Sequence, residues 1–213
     1  MNGLKIPTID EAERLLAEGE QRNPGPWVAH SRNVAEAARR LANHLPEIDA
    51  EAAYILGLLH DIGRWTGVSR LRHIVDGYRL MIEMGYEDCA RICLTHTFQD
   101  QHIQAMSGDW DGTPEDLEWV GSLLEGMIYD DYDRLIQLCD TLSMPDGWCL
   151  IEKRMVDVAL RYGITDHTLI KWKAIFGLQR SFEARIGQSI YALLPGVIEN
   201  TFKRSDSFAA NKT

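Results

Sequence analysis

No stretch of this chain approaches the roughly 18 uninterrupted apolar residues that a bilayer-spanning helix needs. Its opening, MNGLKIPTIDEAERLL, also lacks the apolar run of a signal peptide. Membrane insertion and secretion are therefore disfavoured, and a cytoplasmic location is expected. Cysteine is scarce, with 4 in 213 residues. Cys89, Cys93, Cys139 and Cys149 make neither CxxC pairs nor a dense framework, which excludes a zinc ribbon and a disulfide scaffold. Reduced thiols are expected for all four, and Cys89 and Cys93, four apart on an expected helix face, read as small buried hydrophobes in preference to metal ligands.

Basic residues are in deficit, 22 Lys and Arg against 32 Asp and Glu, for a net charge of -10. No basic cluster interrupts the acidity, so a nucleic-acid polymer or an anionic membrane is not an expected partner. A small anionic substrate stays open if a metal or a local arginine supplies positive charge. Low-complexity tracts, internal repeats, a Walker-type phosphate loop, a G-x-S-x-G elbow and a Rossmann fingerprint are all missing.

What is present is a helical pattern in a chain of 45% hydrophobic and 25% charged residues, ordinary values for a globular protein. TIDEAERLL opens with Thr8 three residues before Glu11, the spacing of a capping box. After the breaker NPGP, Val28, Val34, Ala38 and Leu41 recur near the helical period. Asp49 caps an Ala/Leu-rich run ending in LGLLHDIGRW, with His60 and Asp61 in its last turn. Two further helices part near Gly85, GTPEDLEWVGSLL has Thr113 as cap and Pro114 at its first position, and YDDYDRLIQLCDTLSM is helical until Pro145. The C-terminal third keeps the helical period, and RSDSFAANKT reads as a frayed tail. Length and pattern predict one all-α domain over residues 1–213, a single-domain helical bundle of about eight or nine helices.

Of the seven histidines, some occupy unusual surroundings. His60 and Asp61 follow ILGLL, where a buried carboxylate needs a cation, either an arginine or a metal. His30 follows WVA, His96 sits in ICLTHTF, and Asp140 follows LIQLC. Four helices thus each carry a metal-capable donor in an apolar run, the way a bundle gathers ligands around an ion.

The order His30, His60-Asp61, Asp140 resembles the H…HD…D signature of the HD-domain superfamily of metal-dependent phosphohydrolases, and HDIGR is similar to its commonest local form. RHIVDGYRL resembles the H-x-x-x-G segment of that superfamily through His73 and Gly77, and LTHTF adds His96, the extra histidines of its two-metal branch. The resemblance covers roughly residues 27–145, an HD-like metal-binding core, and leaves 146–213 as a helical C-terminal extension. It implies one divalent ion held by His30, His60, Asp61 and Asp140, with Asp61 bridging to a second held by His73 and His96. His73, between arginines at a helix start, also reads as a capping or surface histidine. His44, His102 and His167 match nothing and read as surface residues. Iron or manganese is preferred on the resemblance, with zinc, nickel or magnesium also suited.

Such a pair of ions would activate water as hydroxide and clamp a phosphoryl group. Asp61 is then both ligand and catalytic residue, and Arg64, just after Gly63, is placed to hold phosphate in a bidentate contact. Arg64 has a plainer role too, answering the helix dipole. Asp133, seven residues before Asp140 and near the same face, reads either as solvated surface or as a catalytic residue positioning water or leaving group. Trp27 and Trp65 flank proposed ligands and read as bundle packing, with stacking on a nucleobase as the alternative. The expected function is hydrolysis of a phosphoester or phosphoanhydride in a small phosphorylated molecule, such as a nucleotide or dinucleotide. The alternative is a non-catalytic metal- and nucleotide-binding sensor or scaffold. Residues 146–213 are open to covering the site, selecting the substrate or forming an oligomer contact.

Overall fold

Local capping chemistry sets the helix starts. In the computed structural model, which describes residues 3–203, Thr8 accepts the Glu11 backbone N–H at 3.3 Å and opens α1 (Ile9–Arg22). The capping box is only half formed, because the Glu11 carboxylate turns to the Arg14 guanidinium at 2.9 Å. Pro26 begins α2 (Pro26–Ala42), and Asp49 accepts the N–H groups of Glu51 and Ala52, both at 2.8 Å, to open α3 (Ala50–Leu59). Seven residues of α3 are buried, so it runs through the middle of the bundle and not along its surface. Gly57 permits this: a Cβ there would lie 2.8 Å from Ala35 Cα on α2.

A 3₁₀ turn, Ile62–Thr66, leads to α4 (His73–Glu83) and α5 (Glu87–Thr95). Thr113 caps α6 (Pro114–Gly126) by accepting Asp116 N–H at 3.0 Å. Next, α7 (Asp131–Thr141) opens with a full capping box between Asp130 and Asp133. The strands β1 (Ser143–Met144) and β2 (Gly147–Trp148) pair antiparallel around Pro145 and turn the chain back. Three helices follow: α8 (Ile151–Tyr162), α9 (Thr168–Ile186) and the six-residue α10 (Val197–Phe202).

The described residues thus form an all-α domain of ten α-helices with one minimal hairpin, one helix beyond the expected eight or nine because the last segment closes in its own short helix. The main core joins α1, α2, α3, α5 and α7 to residues of α8–α10, while Ile74, Val75, Leu94, Phe98, Val120 and Leu124 make a smaller core under α6. All four cysteines are free and buried. No helix of the described residues is long and apolar enough to cross a membrane. The stretch RSDSFAANKT lies outside the described residues.

Candidate metal centre

The helix ends around α3 bring four imidazoles and two carboxylates to one spot. α3 ends at Leu59, two residues short of the expected last turn through Asp61, so His60 is its C-cap and Asp61 opens the 3₁₀ turn. His73 is the first residue of α4, and His96 is the C-cap of α5. His30 lies in α2 and Asp140 in α7. Donor atoms of His30, His60 and Asp61 lie within 4.8 Å of one another, as do those of Asp61, His73 and His96, so Asp61 is common to both groups. Asp140 joins through His30, whose Nε2 is 2.9 Å from Asp140 Oδ1. His73 Nε2 and His96 Nε2 approach Asp61 Oδ1 at 3.0 and 3.7 Å.

Backbone carbonyls orient three of the rings. His60 Nδ1 lies 2.7 Å from Gly57 O, His73 Nδ1 2.7 Å from Arg70 O, and His96 Nδ1 3.0 Å from Cys93 O. A carbonyl only accepts, so each Nδ1 carries the proton and each Nε2 presents a lone pair to the interior. His60 Nε2 is buried with no hydrogen-bond partner.

Protonation states suit cation binding. Burial lowers the pKa of His30 and His73, and that of His96 to about 3, so these imidazoles are neutral at pH 7. Burial pushes Asp61 upward, but the Arg64 guanidinium beside it outweighs this and holds the carboxyl well below its usual range. Asp140 is lowered likewise by His30 and Arg154. Neutral imidazoles, ionised carboxylates and an orphaned buried nitrogen together fit a divalent cation, which such donors suit. They could hold one ion at each of the two groups.

This cluster forms one end of a cavity of about 480 Å³. Arg64 lines it and donates through Nε to Asp61 Oδ2 at 2.8 Å, so it stands at the donors and does more than answer a helix dipole. Trp27 lines the cavity, while Trp65 packs on the core with the Arg22 guanidinium 3.9 Å from its ring centre.

Asp133 is not brought to the donors, nor is it at the surface. It is 0% exposed, accepts from Arg91 Nε at 3.0 Å, Thr95 Oγ1 at 2.7 Å and its own cap's N–H at 2.8 Å, and lies outside the cavity wall. Seven residues share a helix face but also span about 10 Å of axis, which separates it from Asp140. His73 is buried, at 3% exposure, and not a surface cap. His44 and His102 are exposed; His167 is half-buried, its ring stacked 4.8 Å from that of His102.

Sequence reasoning missed Arg154 and Lys171, which line the cavity from α8 and α9. Lys171 had a signal, since it precedes buried Ile175 by four residues on one helix face. Its Nζ donates to Thr97 O, Ala105 O and Ser107 Oγ at 3.0, 3.1 and 3.1 Å. Burial pushes its amine down to about 8.

Compared with known proteins, residues 27–144 match the model of the HD domain family. No curated protein and no solved structure matches the chain.

Proposed function

The chain belongs to the HD domain family, and from that premise we propose that it is a metal-dependent phosphohydrolase. Its substrate on this reading is a phosphoester or phosphoanhydride of a small phosphorylated molecule, such as a nucleotide or dinucleotide. The observation that carries the proposal is Asp61, one carboxylate common to two buried donor groups at the end of an open cavity.

On this reading His30, His60, Asp61 and Asp140 hold one divalent ion, and Asp61, His73 and His96 hold a second, with iron or manganese preferred. Ions in those places would acidify a water to supply the nucleophile and offset charge on the phosphoryl oxygens. The protein's own part is to present the donors ready-made. Carbonyl bonds from Gly57, Arg70 and Cys93 lock three imidazole tautomers, and burial keeps the His73 and His96 rings unprotonated, so neither has to lose a proton before a cation enters. Arg64 offers its guanidinium to phosphoryl oxygens from beside Asp61, while Trp27, Met144, Trp172 and Ile175 give the rest of the substrate an apolar wall.

The test is metal analysis of the purified protein beside Asp61→Ala, followed by both proteins on a panel of nucleoside mono-, di- and polyphosphates. Two equivalents of metal and turnover, both lost in the variant, are the expected result. Metal bound without turnover of any substrate would favour the sensor or scaffold, and a metal-free, chelator-indifferent wild type would overturn the metal centre itself.

A further inference from the structure

The cavity's charge runs against that of the chain. Arg64, Arg70, Arg154, Arg161 and Lys171 line it against three carboxylates, Asp61, Asp140 and Asp157, so the wall is net positive in a protein of net charge -10. Two of those carboxylates are in the donor set, which concentrates the excess. Such a wall gathers anions by field as well as by contact.

Among the mostly buried cations of the wall, Arg64, Arg154 and Lys171, Arg154 makes the fewest hydrogen bonds. The buried neighbours Ile151 and Met155 pin its helix to the core, and its side chain is 17% exposed. Nη2 stands 3.7 Å from Asp140 Oδ1, too far for a hydrogen bond, and Nη1 reaches Asp157 Oδ2 at only 3.3 Å. A guanidinium carries five N–H donors, and Arg154, which lines the cavity, commits one of them to Asp157 and leaves the others free for an anion. Arg64 stands at the other carboxylate, Asp61, so the two guanidiniums flank the donor set from different elements. Lys171 differs: two carbonyls and a hydroxyl already take its hydrogens, which makes it a brace for the 97–108 segment and not a substrate contact.

We propose that Arg154, supplied by α8 beyond the family-matched residues, binds the substrate's phosphoryl group opposite Arg64 and selects for a terminal, dianionic phosphate. The proposal rests on the phosphohydrolase reading. Two guanidinium forks can pair with the oxygens of a phosphate monoester, whereas a diester has one charge and fewer free oxygens to offer. The C-terminal helices thereby take part in deciding which phosphorylated molecules are accepted.

The experiment uses the full chain loaded with manganese, as wild type, Arg154→Met and Arg154→Lys. It reads metal content, calorimetric binding of inorganic phosphate, and kcat and KM on p-nitrophenyl phosphate and bis(p-nitrophenyl) phosphate. Losing charged hydrogen bonds should weaken phosphate binding in Arg154→Met by about tenfold or more, with metal content unchanged. kcat/KM should fall about 30-fold on the monoester but only a few-fold on the diester, with Arg154→Lys in between. Wild-type phosphate affinity and an unchanged monoester-to-diester ratio in Arg154→Met would overturn the proposal. So would loss of metal in that variant, which would make Arg154 a brace for Asp140. If wild type cleaves neither ester nor any member of the nucleoside phosphate panel, the phosphohydrolase reading fails, while phosphate calorimetry still decides whether Arg154 binds the anion.

Discussion

Gly63 lies directly on the carbonyl of His73: a Cβ at Gly63 would come within 2.0 Å of that oxygen and 2.4 Å of Gly77 N. The 3₁₀ turn carrying Asp61 and the start of α4 carrying His73 are therefore held together by the absence of a side chain. This contact sets the distance between the donor Asp61 and the donor His73. Gly63 is thus where the second donor group is assembled.

Gly63→Ala should separate these two elements. Backbone offers no flexible side chain to yield, so the cost should meet or exceed the ~1–3 kcal/mol typical of overpacking. Urea unfolding should show the loss of stability, and metal analysis should show occupancy falling toward one equivalent. A variant of wild-type stability and metal content would mean that the two segments are not rigidly packed.

Asp133→Asn separates a structural carboxylate from a catalytic one. Asp133 is fully buried beneath Arg91, Thr95 and the α7 cap. Removing one member of a buried pair costs roughly 3–5 kcal/mol, and Arg91 is partly exposed, so about 2–4 kcal/mol is expected here. The urea midpoint should fall while kcat per bound metal stays within about twofold of wild type. A variant stable as wild type but catalytically dead would restore Asp133 to the site.

The residues just compared show what was legible in the sequence and what was not. The helical period and polar donors within apolar runs made α2, α3, α5 and α7 readable, and with them His30, His60, Asp61, His96 and Asp140. Periodicity reports which face a residue occupies, not how far along the axis it lies, and that is why Asp133 seemed close to Asp140. Arg154 left no trace at all, because an arginine on an amphipathic helix is ordinary until the hairpin at 143–148 turns α8 back toward the donors. Half of the box at Thr8 failed for a related reason, since Glu11 had a better partner in Arg14.

Acid should destabilise the metal-free protein from just below neutrality. His96 has a folded pKa of about 3, and His30 and His73 are also depressed from 6.5 by burial. Below pH 6.5 the unfolded chain therefore binds protons that the folded chain refuses, so stability falls with pH until each folded pKa is reached. Each such histidine contributes a slope of up to about 1.4 kcal/mol per pH unit in its window, with no contribution above it. Asp61 and Asp140, also depressed when folded, add to the loss only as pH drops through the carboxylate range. Urea midpoints between pH 8 and pH 4 on chelated protein should trace this curve, and His96→Asn should flatten it. A wild-type curve level from pH 8 to pH 5 would contradict the buried, neutral state of these rings.

Lys171 offers the sharpest test of how α9 is tied to the site. Its ammonium serves Thr97 O, Ala105 O and Ser107 Oγ at once, spanning the segment that follows His96 and enters the cavity wall. Lys171→Met keeps much of the volume but strands two carbonyls, and a buried acceptor that loses its donor costs about 1–3 kcal/mol. The penalty should be local, because α9 remains anchored by Ile175 and Phe182 in the main core. Amide exchange in 97–108 should therefore accelerate about tenfold or more while exchange in α2 and α3 keeps its wild-type rate. Substrate KM should rise with metal content unchanged, since the His96 ring is fixed by its own helix through Ile92 and Cys93. Uniformly faster exchange across the whole chain would instead make Lys171 part of the global fold, with no special hold on the cavity wall.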